Sequence, residues 1–238
     1  MSARPPWGTV VSWVAEGQPL VENAAARLRP EQVRDPSRLP GWSRGHVLTH
    51  LSRNADALTN LLTWTRTGVE SRMYATPTER EEGIQVGADR TLAEQLADLA
   101  TSGSRFLAAV AAVPRERRSF PLVSGQGRRI PAHEVPWLRV RELWLHLVDL
   151  DAGYGVDVLP GPIAWTLTRD VAAWMAPRIT ATADLRVDGY GTVRLGPGDG
   201  VGTIIEGSAQ RMAAWLTGRD GTAGLTATAG FPDLPGWL

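Results

Sequence analysis

The sequence predicts an α+β protein: a four-helix bundle over residues 1–157, followed by a small α+β domain over residues 158–238. Three observations predict it. Four long stretches carry apolar residues at helical spacing, with one extended polar connection between the second and third. After Gly155 the texture changes to short strand-like runs punctuated by glycine. The fourth stretch is apolar nearly all round, the mark of a helix enclosed by its neighbours. A chain of 238 residues has ample length for one large or two small cores.

A first helix is expected over about 7–28, where Val10, Val14, Leu20, Val21, Ala24 and Leu28 recur and Arg29-Pro30 marks the exit. Leu39-Pro40-Gly41-Trp42 reads as a turn. Ser43 is the N-cap of a second helix that runs to about Thr67, with Gly68 as its stop. Val47, Leu51, Leu58, Leu61 and Leu62 give this helix its core face, and His50 sits at the edge of that arc, one turn after His46. Residues 69–90 are polar and broken by Pro77 and several glycines. A connection of this length is functional or has local structure of its own, and Tyr74 and Arg80 within it are candidates for substrate contact.

A third helix repeats Leu92, Leu96, Leu99, Phe106, Val110 and Val113 and ends at Pro114. Residues 115–130, arginine-rich with Gly125-Gln126-Gly127, suit a loop or short hairpin, and the fourth helix begins near Pro131. In the second domain a helix is expected over 163–178. Strands at 183–187 and 191–195 flank Asp188-Gly189, a hairpin signal. A loop at 196–200, a strand at 203–207, a helix from Ser208 to about Thr217 and a last strand at 225–228 complete the prediction.

Composition removes several function classes. With 25 basic and 25 acidic residues the formal net charge is zero, so neither nucleic acid nor an anionic membrane is an expected partner. Every basic residue is arginine, which reflects a G+C-rich coding bias. The absence of cysteine excludes disulfides, thiolate metal ligands and a cysteine nucleophile, so any thiol chemistry needs a thiol from outside the chain. The first residues lack the apolar run of a signal peptide and no 18-residue apolar run occurs, so a cytoplasmic protein is expected.

The fourth helix carries the chemistry. At about 100° per residue, Glu142, His146 and Asp149 fall within an arc of roughly 60°, surrounded by Leu138, Leu143, Leu145 and Leu150. Buried carboxylates and imidazoles cost several kcal/mol unless compensated, and a metal ion is the expected compensator. Glu142 and His146, with His50 from the second helix, give three ligands and leave a fourth position open, the pattern of a catalytic site. A neutral hydrogen-bonded Glu–His pair is the bland alternative. Asp149 could orient His146 or act as a base. His46 ranks behind His50 as a ligand because it points further from the apolar arc, and His133 suits a surface or capping position. Arg219, after a helix, reads by itself as a solvated residue or a partner of the helix end.

Residues 39–51, then Arg53-Asn54-Ala55-Asp56-Ala57-Leu58, then Pro136-Trp137-Leu138-Arg139 and His146 through Leu150 closely resemble the mycothiol-dependent maleylpyruvate isomerase family. That resemblance implies a DinB-like metal-binding four-helix bundle joined to a small α/β C-terminal domain. It implies zinc on His50, Glu142 and His146, a functional arginine at Arg219, and an acid at Asp149. It also implies a low-molecular-weight thiol cofactor, mycothiol, in keeping with the missing cysteine. The expected reaction is the cis–trans isomerisation of maleylpyruvate to fumarylpyruvate. A mycothiol S-transferase and a non-catalytic metal-binding or regulatory member of the fold are the alternatives, and the chain is expected as a monomer or homodimer.

Overall fold

The computed structural model describes residues 4–76, 78–197, 200 and 202–237. Pro77, the first three residues and part of the loop expected at 196–200 lie outside the described residues. The protein is α+β and divides into two compact units, one spanning Pro6–Gly153 and the other residues 154–237 with Arg4 and Pro5. Among the described residues no helix is long and apolar enough to cross a membrane.

The first unit is a four-helix bundle. Its helices are α1 (Trp7–Ala26), α2 (Arg44–Thr67), α4 (Leu92–Ala111) and α5 (Val135–Asp149), with a shorter helix, α3 (Glu79–Ala88), inside the crossover. The four long helices close a ring in which α2 packs on α4 and α5, and α1 on the same two. Leu48, Leu51, Leu58, Leu61 and Leu62 of α2 meet Leu99 and Phe106 of α4 and Val140, Leu143 and Leu147 of α5 in a core essentially closed to solvent. Local signals set the ends of α2. The Ser43 side chain accepts from the His46 backbone N–H, and Gly68 closes the helix in the left-handed region at φ 77°. Gly17 lets α1 approach α5, because a Cβ there would meet Trp144 Nε1 at 2.8 Å. That indole instead donates to the Trp13 carbonyl at 3.1 Å.

The helix α3 is local structure of the kind expected of the long connection at 69–90, although the sequence did not mark it as a helix. Glu79, Glu81 and Glu82 in its first turn complement the helix dipole, and Ile84, Gly87 and Ala88 are buried where it packs on α2. Gln95 of α4 donates to the carbonyls of Gly87 and Ala88 at 3.2 and 3.1 Å, which ties down the C-terminal end of α3. The stretch before α5 forms a two-stranded antiparallel hairpin, β1 (Pro121–Val123) with β2 (Arg129–Pro131).

The second unit carries helices α6 (Gly161–Met175) and α7 (Ala209–Leu216) and a four-stranded sheet. Its strands are β3 (Ala183–Val187), β4 (Gly191–Leu195), β5 (Thr203–Gly207) and β6 (Thr226–Ala227), in the order β4-β3-β5-β6. The β3–β4 hairpin is antiparallel, β5 lies parallel to β3, and β6 runs antiparallel to β5. Ala183, Leu185 and Val187 point alternately into the core of this unit, where α7 packs on β3 and β5, and α6 on α7 and β4.

Candidate metal centre

Two helices of the bundle supply the site, and polar ties between them fix its geometry. The Arg139 guanidinium, fully buried on α5, donates from Nη1 to the Leu51 carbonyl at 2.7 Å and to Asn54 Oδ1 at 3.0 Å. From Nη2 it reaches Gln18 Oε1 of α1 at 3.0 Å. Beyond the other end of α5, the Arg44 side chain donates to the Leu150 carbonyl at 3.0 Å, and the Arg38 backbone N–H to the Asp149 carbonyl at 2.8 Å. His50 sits one residue before the carbonyl that Arg139 holds, and Glu142 one turn after Arg139 itself.

Between these ties the two helices bring His50, Glu142 and His146 together. One donor atom from each lies within 4.8 Å of the other two. His50 Nε2 is 2.8 Å from Glu142 Oε2, and His146 Nε2 is 3.2 Å from the same oxygen. The imidazole rings meet edge to face at 4.8 Å between centroids. On the far side of His146, Nδ1 donates to Asp149 Oδ2 at 2.9 Å, and that carboxylate is almost completely buried. The bond fixes the ring so that Nε2 faces Glu142. The His50 side chain is 5% exposed, that of His146 12% and that of Glu142 20%, so Glu142 marks the side nearest solvent.

The electrostatics follow from this geometry. Burial pushes the His50 imidazole below its ordinary value, and Glu142 opposes it only partly. Burial would raise Glu142, but hydrogen bonds from His146 and His50 hold its carboxyl well below the usual carboxylate range. Burial also disfavours the His146 cation, yet Asp149 and Glu142 outweigh it and its pKa is raised. An ionised carboxylate between two imidazole nitrogens is a donor set suited to a divalent transition cation. The carboxylate behind His146 is the outer support that such ligands regularly have.

Comparisons with known proteins give the chain a family. A family model, the mycothiol maleylpyruvate isomerase N-terminal domain, matches residues 15–151, more than half of the chain. The chain belongs to that family. As a member of the mycothiol maleylpyruvate isomerase family it is also similar, over its whole length, to two solved structures. The crystal structure of the mycothiol-dependent maleylpyruvate isomerase is 28% identical, with 98% of each chain covered and a TM-score of 0.88. That of a histidine-to-alanine mutant of the enzyme is 27% identical, with the same coverage and TM-score. No curated protein matches the sequence.

In this family member the remaining residues singled out from sequence fall as follows. His46 is held away from the cluster as part of the α2 cap, with Nδ1 at 2.7 Å from Ser43 Oγ and Nε2 at 3.3 Å from Gln85 Oε1. His133 is exposed in a short 3-10 turn before α5. Arg219 belongs to the second unit, just beyond α7, where its backbone N–H donates to the Ala214 carbonyl and Nη1 to the Thr217 carbonyl. Trp42 escaped the sequence reading, which took it for part of a turn. Its ring stacks on His46 at 6.1 Å and tilts against His50 at 5.5 Å, forming an aromatic wall of the centre.

Proposed function

We propose that the chain is a zinc- and mycothiol-dependent cis–trans isomerase that converts maleylpyruvate to fumarylpyruvate. One observation carries the reading: three nitrogen and oxygen donors converge from two helices, in a chain that matches a mycothiol-dependent maleylpyruvate isomerase over 98% of its length. His50, Glu142 and His146 would hold the zinc. When bound, the cation supplies a Lewis acid that favours the thiolate of mycothiol, and that sulfur supplies a nucleophile whose addition and departure leave the double bond trans.

The chain's own residues do the rest. Glu142 brings one negative charge to the cation, and Asp149 keeps His146 in the tautomer and orientation that present Nε2. Trp42 shields His50 from water. With no cysteine of its own, the chain provides no competing thiol. Arg219 is proposed to bind a substrate carboxylate through charge-assisted hydrogen bonds.

Incubation of zinc-loaded protein with mycothiol and maleylpyruvate tests the reading. Loss of the cis acid with mycothiol recovered unchanged is expected; stoichiometric consumption of the thiol replaces the isomerase with an S-transferase. Arg219→Ala should lower turnover while zinc stays bound, and unchanged kinetics would remove that arginine from the reaction.

A further inference from the structure

Arg80 lies in the second position of α3 and reaches back to the metal centre. Its Nη2 is 3.5 Å from His50 Nδ1, the ring nitrogen opposite the one that faces Glu142. The guanidinium also lies close enough to the Tyr74 phenol to act on it electrostatically, and burial holds that phenol above its ordinary pKa. The neighbouring bundle arginines are tied into close pairs: Arg53 to Asp98 at 2.7 Å and to Asp56 at 2.9 Å, and Arg90 to Asp98 at 2.8 Å. Arg80 differs. Among the described residues its ion-pair partner is Glu81, at 4.0 Å and well exposed, a contact worth little in water. Both flanking carboxylates also have other partners. Glu79 accepts from the Ala75 backbone N–H, and Glu81 accepts from Gln85 Nε2 at 2.8 Å.

The position thus holds a permanent positive charge beside a donor cluster, without a close anion of its own. The local charges make the point sharper. Glu142 and Asp149 together neutralise a divalent cation, so the charge of Arg80 is left over for whatever enters. The tautomer of His50 gives it a direction. With its proton on Nε2, His50 donates to Glu142 and its Nδ1 accepts from Arg80. A neutral imidazole that gives Nε2 to a cation carries its proton on Nδ1, and two donors then face each other, so the guanidinium turns to another acceptor.

We propose that Arg80, with Tyr74 beside it, is a carboxylate anchor of the metal centre, gripping an acidic group of the substrate. This rests on the isomerase reading above only for the identity of that substrate, a cis-dicarboxylate. Arg80 is planar and forked, which suits paired hydrogen bonds to a carboxylate.

Calorimetric titration of maleate, a small cis-dicarboxylate, into zinc-loaded protein without mycothiol tests the anchor. Arg80→Met is expected to weaken maleate binding at least about tenfold. Zinc affinity, read by chelator competition, should stay at or above the wild-type value, because a positive neighbour of His50 has gone. Equal maleate affinity in the two proteins, no maleate binding by wild type, or weaker zinc binding in the variant overturns the proposal. The isomerase reading fails separately: maleate binding that depends on Arg80, with no conversion of maleylpyruvate, keeps the anchor and discards the reaction.

Discussion

Two buried polar clusters lie between α2 and α5, one helical turn apart, and they are built on opposite principles. Around Arg139 a cation is buried among neutral acceptors: a backbone carbonyl and two side-chain amides reach its terminal nitrogens. Burial pulls that guanidinium down to about 10, still charged at neutral pH. Around Glu142 an anion is buried among imidazoles that can act either as proton donors or as metal ligands. The first cluster uses groups with one possible role and locks the helix pair. The second uses groups with two possible roles and is positioned by the first. Structure and chemistry are thereby separated along a single helix, with Arg139 as the clamp and Glu142 as the working group.

The sharpest way to break this separation is to remove a ligand. His50→Ala should abolish turnover and the tight binding of zinc, yet the metal-free variant should unfold within about 1 kcal/mol of metal-free wild type, since the clamp is untouched. A loss several times larger in denaturant melts would mean that the cluster is a structural element. The converse change is Arg139→Met, which strands the acceptors of Leu51, Asn54 and Gln18. It should cost about 3–5 kcal/mol in the unfolding free energy of the metal-free protein. A neutral effect would show that α2 and α5 are registered by apolar packing alone.

The same contrast explains what could be read from sequence. Glu142 and His146 were legible because an acid and a histidine four apart on an apolar helix leave few alternatives, and Ser43 and Gly68 because caps are local chemistry. The strands flanking Asp188-Gly189 were legible for the same reason. Arg139 as a clamp was not legible: nothing local distinguishes it among 25 arginines, and its acceptors come from residues 18, 51 and 54. The helix α3 was hidden by its polar, glycine-rich sequence, since its burial depends on Thr49 and Gln95 of other helices. Trp42 was hidden by distance, and Arg80 was singled out only by its place in the crossover, because a turn or a crossover reveals its target only after the chain has folded back.

Asp149 stands behind the working cluster as Gln18 stands behind the clamp, and it offers a smaller, sharper test. Asp149→Asn keeps the volume but removes the carboxylate that accepts from His146 Nδ1. It should lower zinc affinity by about 10- to 100-fold with little change in fold. An unchanged affinity would show that the ring is oriented by packing against Glu142 and His50 instead.

Proton competition gives the finest discrimination. Zinc must displace the proton that His146 holds on Nε2, and Asp149 and Glu142 raise the pKa of that imidazole above its ordinary 6.5. His50, pushed down by burial, sheds its charge at lower pH and does not compete in the same range. Zinc affinity should therefore begin to fall above pH 6.5 as the solution is acidified, by up to about tenfold per pH unit. Above the raised value it should level off. In Asp149→Asn the carboxylate that lifts His146 is gone, so the inflection should move to lower pH. An inflection that stays in place in the variant would assign the competing proton to another group and would show that the carboxylate behind His146 orients the ring without tuning it.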